Sequence, residues 1–366
     1  MARKTALIAA FVLVSFLWPA TALGVTRSGV TVFAGPNLAS PPAGVSSQAD
    51  ALAFFPKVAT VHVGDTVTWQ YRGFHTTTFS GSNQNYPFIT QLSSTQPTVT
   101  DAAGERLWWA GVAPLLGLDP LSVMPQGSSK ISSPSDVRNS GLVRIFQSTA
   151  KSPPKPYVLT FTKAGTYRYF CTVHRGMRGT VRVRPALAPV PSVAAHKRQG
   201  ATELQRVIVD AKQLNQSKPT TNLEVLVGAG SKATGAEIAS FFPDQLAVKT
   251  GDTVTFRNAD PTDIHTVTFG PQALRTKIEN NFVAPVGGQI LLDPLGALPS
   301  EPPSAPTPQY SGANHGDGYL NSGLLVPPGS PTTAGPQSFQ VTFTKPGTYQ
   351  YECVIHSKMD GTIVVS

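Results

Sequence analysis

Two copies of one short motif, Cys-x2-His-x2-Met, hold the side chains of this sequence that are best suited to chemistry. The two copies consist of Cys171, His174 and Met177, and of Cys353, His356 and Met359. Both cysteines of the chain and two of its four methionines lie in this motif. A thiolate, an imidazole and a thioether on one loop suit copper, which accepts two His and one Cys in a trigonal set with a weak axial Met.

An internal repeat supplies the histidine that each motif lacks. The segment FFPKVATVHVGDTVTWQYRGFHTTTF, from Phe54, aligns with FFPDQLAVKTGDTVTFRNADPTDIHTVTF, from Phe241, through a shared Gly-Asp-Thr-Val-Thr. A three-residue difference in the next turn brings His75 opposite His265. Further on, LTFTKAGTYRYFCTVHRGMRGTVRV matches VTFTKPGTYQYECVIHSKMDGTIVV. The sequence therefore contains a duplicated unit, and each copy offers two imidazoles, a thiolate and a thioether.

Strands are the elements that must position these side chains. The chain has 33 Pro and 32 Gly residues, a composition that favours short strands and turns and predicts an all-β fold. Tyr167, Tyr169 and Cys171 occupy alternate positions, so they lie on one face of a predicted strand. Gly179 and Gly361, two residues after each motif, are expected to let the chain turn into a final strand.

The sequence divides into four segments. They are a signal peptide at 1–24, a first domain at 25–184, a Pro/Ala-rich linker with a helix at 185–221, and a second domain at 222–366. The signal peptide is predicted from Arg3 and Lys4, an apolar run and small residues near a cleavage point. A membrane anchor is the alternative, but the apolar run is short for a bilayer.

The mature chain is expected to be soluble and exported, either to a periplasm or out of the cell. No later segment is long and apolar enough to cross a membrane. The formal net charge is +9, and two of these positive charges lie in the signal peptide. The remaining positive charge favours solubility or an acidic partner. The basic residues are scattered, so nucleic acid is not an expected partner.

A helix is predicted near the linker from apolar residues at helical spacing. These residues are Leu204, Val207, Ile208, Ala211 and Leu214. We expect the helix to pack on one domain or at the junction of the two. The linker before it, RPALAPVPSVAAHKRQG, is expected to be semi-extended.

Each half also carries a long insertion between its first histidine and its cysteine, at 80–140 and 270–322. Both contain Asp-Pro-Leu and run at their ends into Asn-Ser-Gly-Leu, which indicates ordered, duplicated segments rather than random linkers. Trp108, Trp109 and Met124 could pack such a segment as a cover over the metal end. Packing along the flank of the sandwich is an equal alternative.

The β-core of both halves resembles the plastocyanin/azurin family of blue copper proteins, the cupredoxins. The Cys-x2-His-x2-Met spacing looks most like the ligand loop of amicyanin. The resemblance implies two tandem Greek-key β-sandwiches, each with one copper ion that cycles between Cu(I) and Cu(II). It also implies that His75 and His265 are the buried ligands and that His174 and His356 are the more exposed ones. Cys171 and Cys353 would supply thiolates, with Met177 and Met359 axial.

Several alternatives to this site remain open. The two cysteines could form a disulfide, which would leave the repeated His and Met residues unexplained. Zinc could use two His and one Cys, but it gains little from a thioether. His62, His196 and His315 lie outside the repeated quartets and are interpreted as solvated or incidental.

Three functions are compatible with two such sites. Electron transfer to a redox partner protein is favoured, because the four-ligand set is closed. Copper delivery without a redox role is the second function. The third is a multicopper oxidase or a nitrite reductase, which would need further histidines; the chain has no His-x-His pair and only three histidines outside the quartets.

Overall fold

The computed structural model describes residues 29–35, 41–81, 86–142, 155–331 and 334–366. The predicted signal peptide lies outside these ranges. Fourteen strands occupy the first half of the described chain: β1 (Gly29–Ala34), β2 (Ala49–Ala51), β3 (Phe54–Phe55), β4 (Val58–His62), β5 (Thr66–Tyr71), β6 (Thr78–Ser80), β7 (Ile89–Thr95), β8 (Pro114–Leu118), β9 (Pro125–Gln126), β10 (Lys130–Ile131), β11 (Val137–Ser140), β12 (Tyr157–Phe161), β13 (Gly165–Phe170) and β14 (Arg178–Arg184).

The second half of the described chain holds the remaining strands and most of the helices. The strands are β15 (Glu224–Gly230), β16 (Ala236–Phe242), β17 (Gln245–Val248), β18 (Thr253–Asn258), β19 (Thr268–Phe269), β20 (Val283–Val286), β21 (Gln289–Leu292), β22 (Gln309–Tyr310), β23 (Leu320–Asn321), β24 (Ser338–Phe343), β25 (Gly347–Glu352) and β26 (Asp360–Val365). The α-helices of the described chain are α1 (Pro120–Val123), α2 (Val193–Leu214), α3 (Gln272–Asn281) and α4 (Pro294–Ala297), with a 3₁₀ turn at Asn314–Gly316.

The first half forms a sandwich of two sheets. One sheet has the strand order β10-β12-β5-β1-β3 and the other β4-β14-β13-β6-β11-β9. Alternate side chains of β5, Val67, Trp69 and Tyr71, point into the core, as the alternation in TVTWQY predicts. From the other sheet, Tyr167 and Tyr169 enter the same core. Cys171 follows them and is buried in that core as well.

The second half repeats this architecture. Its sheets have the orders β2-β16-β15-β18-β24-β22 and β17-β26-β25-β19-β23. The parallel pair β15–β18 repeats β1–β5, and the parallel pair β17–β26 repeats β4–β14. The prediction of an all-β fold built from cupredoxin-like sandwiches is confirmed. The domain boundaries remain a prediction, since β2 of the first half is an edge strand of the second sandwich and pairs with β16.

The two insertions form one shared layer. Strands β7 and β8 of the first insertion and β20 and β21 of the second make one sheet, in which Leu291 pairs with Gly117. Trp109 is fully buried between them, and Trp108 donates its indole N–H to the carbonyl of Pro299 at 2.9 Å. Met124 ends α1 with its side chain exposed, so it does not take part in this packing.

The shared layer lies against the metal ends of both sandwiches. Val173 and Ile355, each two residues after the cysteine of its motif, pack against the apolar core of this layer. The insertions therefore cover both ligand loops.

Helix α2 lies at the junction of the two halves. Its buried face, with Val207, Ile208 and Ala211, packs on residues of β2, β3 and β16. The helix begins at Val193, earlier than the periodicity predicts, so residues 193–200 are helical rather than semi-extended. The Ser192 side chain accepts a hydrogen bond from the Ala195 amide and caps this end. Within the described ranges, no helix combines the length and the hydrophobicity that crossing a membrane requires.

Candidate metal centre

The first pocket lies at one end of the first sandwich. His75 comes from the turn between β5 and β6, whereas Cys171 and His174 come from the loop after β13. The Nδ1 atoms of the two histidines are 3.0 Å apart. The Cys171 sulfur lies 3.6 Å from Nδ1 of His174 and 4.0 Å from Nδ1 of His75. Three donor atoms from distant parts of the chain thus face a common point.

Hydrogen bonds fix the loop that carries these ligands. The Cys171 amide donates to the carbonyl of Met177 at 2.9 Å, which closes the loop on itself. The Thr76 amide donates to the Cys171 sulfur at 3.4 Å, and the Thr76 hydroxyl accepts from the Thr172 amide at 2.9 Å. These contacts tie the loop to the strand that follows His75, so the sulfur is held opposite the imidazole.

The second pocket repeats the first. The Cys353 sulfur lies 3.5 Å from Nδ1 of His356 and 3.9 Å from Nδ1 of His265. The Thr266 amide donates to this sulfur at 3.3 Å, and the Cys353 amide donates to the Met359 carbonyl at 2.9 Å. The structure thus brings together both predicted sets of two His and one Cys.

The two motif methionines are buried near the cysteines. Met177 and Met359 lie in the same core clusters as Cys171 and Cys353. Each methionine also closes its ligand loop, since its carbonyl accepts from the amide of Cys171 or Cys353. Both cysteines are free thiols, so the structure does not form the disulfide considered from the sequence.

A glycine makes room for the first histidine in each sandwich: Gly35 directly follows β1, and Gly228 lies within β15. Gly35 has φ of 62° and Gly228 has φ of 69°, both in the left-handed region. A Cβ atom at Gly35 would overlap Nε2 of His75, and one at Gly228 would overlap Nε2 of His265. Each glycine therefore serves both the backbone conformation and the packing of an imidazole.

The glycines after the motifs have a different role from the predicted one. Gly179 and Gly361 lie inside β14 and β26 rather than at a turn. A Cβ atom at either position would overlap the ring of Tyr169 or Tyr351. The prediction of a turn was wrong. Glycine is required at both positions because a tyrosine ring packs directly on the backbone there.

The electrostatics of the pockets favour thiolates. Burial alone would raise the pKa of Cys171, but hydrogen bonds from His174 and His75 and the charge of these rings hold it well below the ordinary 9.0. Burial lowers the pKa of His174, yet the Cys171 thiolate and Asp263 outweigh this effect and raise it to about 9. The pKa of Cys353 is likewise held well below its ordinary value, against burial, by His356 and His265. A thiolate is the form that binds a metal.

The donor atoms fit a trigonal metal ion. Metal–N bonds of about 2.0 Å and a metal–S bond of about 2.3 Å give N–N and N–S edges of about 3.5 and 3.7 Å in a trigonal plane. The first pocket has edges of 3.0, 3.6 and 4.0 Å. A small ion can therefore contact all three atoms from near their plane. Two imidazoles and a thiolate are the trigonal set of blue copper sites.

The first pocket is more enclosed than the resemblance implies. His75 is 2% exposed and His174, expected to be the exposed ligand, is only 6% exposed. The second half covers His174, since the Arg175 amide donates to the carbonyl of Thr262 at 2.9 Å. In the second pocket His265 is fully buried, and His356 is the more exposed ring.

The sequence did not indicate that Asp263 would lie beside both pockets. Its Oδ2 lies 3.5 Å from Nε2 of His174 and 3.3 Å from Nε2 of His356, so one carboxylate faces a ligand of each pocket. The charges of both rings and a hydrogen bond from His356 lower its pKa despite burial. The signal was present in the repeat: Asp263 lies in the turn that is three residues longer in the second half.

The three remaining histidines make contacts elsewhere. Nε2 of His62 lies 2.8 Å from the carbonyl of Ala188, and Nε2 of His196 accepts from the Thr60 amide at 3.0 Å. His315 is not solvated, because its ring contacts Asp101 of the first insertion at 2.8 Å and Glu301 of its own insertion at 3.0 Å. Across the described ranges, none of the three belongs to a cluster of metal-binding geometry.

Parts of the chain are similar to known proteins. Residues 124–184 match the model of the copper binding proteins of the plastocyanin/azurin family. None of the curated proteins compared with the chain matches it. A purple cupredoxin from Nitrosopumilus maritimus is 18% identical, over 39% of this chain and 98% of its own, with a TM-score of 0.20.

Two other solved structures are similar over parts of the chain. The reduced auracyanin of Roseiflexus castenholzii is 17% identical, over 41% of this chain and 99% of its own, with a TM-score of 0.25. The Cu(I) form of an amicyanin mutant is 22% identical, over 35% and 72%, with a TM-score of 0.19. The family match includes the Cys171–Met177 loop, so residues 124–184 are similar to the copper binding proteins of the plastocyanin/azurin family.

Proposed function

We propose that this protein is an exported electron-transfer protein with one type 1 copper site in each half. The observation that carries the proposal is the convergence of two imidazole nitrogens and one cysteine sulfur in both pockets. Copper bound there supplies one-electron chemistry between Cu(I) and Cu(II). The proposed ligands are His75, Cys171, His174 and Met177 in one pocket, and His265, Cys353, His356 and Met359 in the other.

The residues around each pocket suit this role. Ligands held on a sandwich and on a hydrogen-bonded loop keep one arrangement that is acceptable to both oxidation states. The amides of Thr76 and Thr266 stabilise charge on the sulfurs through direct hydrogen bonds. Burial keeps water and other ligands away from the donor atoms.

Copper delivery is the alternative function, and an experiment is needed to distinguish it from electron transfer. Delivery needs an exchangeable ion, whereas both sets of donors are buried and closed. We expect copper-loaded protein to be intensely coloured, to cycle reversibly between reduced and oxidised states, and to lose copper slowly to a chelator. Rapid loss of copper without redox cycling would support delivery instead. An oxidase is less well supported, because His62, His196 and His315 already make other contacts.

We further propose an acidic redox partner that docks beside the first pocket. A cleft next to the ligand loop, partly lined by Met177, carries five cationic side chains and one carboxylate. They belong to Lys57, Arg175, Arg178, Arg206, Lys232 and Glu203. A cleft of one charge sign attracts partners of the opposite sign and speeds their association. Export to a periplasm or to the cell exterior would place such a partner in the same compartment.

Reversing charge in this cleft is expected to slow electron exchange with anions. The double variant Arg178→Glu and Arg206→Glu should reduce the rate of oxidation by hexacyanoferrate about tenfold at low salt. Stopped-flow absorbance of the copper band measures this rate. The matched control, Arg182→Glu with Lys197→Glu, makes the same change at two exposed positions outside the cleft. Equal rates for both double variants would contradict a docking role for the cleft.

A further inference from the structure

The longer turn of the second half places one carboxylate between the two pockets. The turn runs from Ala259 to Ile264, and its shorter counterpart in the first half has Gly73 two residues before the histidine. Asp263 is buried there, with 9% of its side chain exposed. The described part of the first half offers no equivalent, because the repeat has no acidic residue at that position.

The backbone fixes which oxygen of Asp263 faces the ligands. The Ile264 amide donates to Oδ1 at 2.7 Å, and the Asn258 side chain donates to the Asp263 carbonyl at 3.1 Å. Oδ2 is thereby directed at the Nε2 atoms of His174 and His356, at 3.5 and 3.3 Å. In both rings Nδ1 faces the cysteine sulfur, whereas Nε2 faces this one oxygen atom of Asp263.

The surrounding contacts hold both ligand loops against this turn. The Arg175 amide donates to the carbonyl of Thr262 at 2.9 Å, and the Arg175 side chain donates to Ser330 at 3.0 Å. In the other direction, the side chain of Gln48 donates to the carbonyl of Ser357 at 2.9 Å. Each half therefore contacts the ligand loop of the other.

We propose that Asp263 is a positioning residue shared by the two sites, which makes them one coupled two-metal unit. This inference rests on the proposed copper function. A carboxylate that accepts the Nε2 proton of a ligand histidine fixes the ring and leaves Nδ1 free for the metal. Here Oδ2 of one carboxylate is hydrogen-bonded to Nε2 of His356 at 3.3 Å and lies 3.5 Å from Nε2 of His174, so it faces both rings. Its negative charge faces both pockets, so the state of one pocket alters the other.

Single-pocket proteins allow the effect on each site to be measured. Cys353→Ala leaves the first pocket and Cys171→Ala leaves the second. Adding Asp263→Asn to each is expected to weaken copper affinity at least about tenfold in both, the usual cost of losing a partner of a ligand histidine. It should also shift the thiolate-to-copper absorption of both. A first pocket with unchanged affinity and absorption would overturn the proposal.

A neighbouring aspartate provides the matched control. Asp260 lies in the same turn, and its Oδ2 is 3.8 Å from Nε2 of His265, a ligand of the second pocket alone. Asp260→Asn removes the same charge but keeps the oxygen that accepts from the Thr262 amide. It is expected to change the second pocket and spare the first. If it altered the first pocket as much as Asp263→Asn does, displacement of the turn would be the cause and the proposal would fail.

A measurement on the unaltered protein covers the case in which Asp263→Asn does not fold. Coupled sites should not fill independently, because two loaded pockets of like charge face one carboxylate. We expect the second copper ion to bind at least about fivefold more weakly than the single-pocket proteins predict. A titration equal to the sum of the two single-pocket titrations would overturn the coupling. Absence of any thiolate-to-copper band in the unaltered protein would instead refute the proposed function.

Discussion

Replacing Cys171 by Ala is expected to remove about half of the thiolate-to-copper absorption of the fully loaded protein. The thiolate is the source of that band, and the chain has one thiolate in each pocket. Cys353→Ala should remove the other half, and the double variant should be colourless. The visible spectrum, recorded with the copper content of each sample, measures the effect.

The control for this experiment is a variant that removes a sulfur atom outside both pockets. Met124→Leu changes an exposed side chain at the end of α1 and should leave colour and copper content as they are. Loss of the whole band from either single cysteine variant would contradict two separate sites. A band that survives in the double variant would mean that the colour has another source.

Gly35→Ala is expected to disrupt the first pocket without replacing any of the proposed ligands. The new Cβ atom would overlap Nε2 of His75, and the residue would also have to keep a φ of 62°. Overpacking of a core costs about 1–3 kcal/mol, and Ala at positive φ adds about 1 kcal/mol or more. Because His75 must move to relieve the overlap, copper binding to this pocket should be lost. Gly228→Ala should do the same to the second pocket through His265.

Two other glycines separate backbone strain from overlap. Gly64 and Gly251 both have φ of 93°, but a Cβ atom on either would contact nothing within 4 Å. Gly64→Ala should therefore cost only about 1 kcal/mol of unfolding free energy and should keep the copper band. Denaturant unfolding and copper titration distinguish the variants. Equal losses in Gly35→Ala and Gly64→Ala would mean that the imidazole contact is unimportant.

The repeated pattern made the site predictable, because its information is local. Three donors of each quartet lie within seven residues of chain, and the alternation around Tyr169 shows which face of the strand carries Cys171. The histidine upstream was found because the repeat aligned His75 with His265. The structure brings the predicted His and Cys residues of each quartet together.

Features that depend on contacts between the halves could not be predicted in this way. The contacts of Asp263 with a histidine of each pocket depend on how the two halves pack together. The pairing of Leu291 with Gly117 and of β2 with β16 joins segments that are far apart in sequence. A hydrophobic pattern shows that a strand has a buried face but not which strand it will pair with. His315 was therefore interpreted as incidental, although it bridges Asp101 and Glu301.

The most direct test of the central claim is an anomalous-scattering map of crystals of copper-loaded protein, collected at the copper edge. Two peaks are predicted, one between the Nδ1 atoms of His75 and His174 and the Cys171 sulfur, and one in the matching place beside Cys353. Copper bound elsewhere, or pockets that stay empty in crystals with two copper ions per chain, would contradict the account.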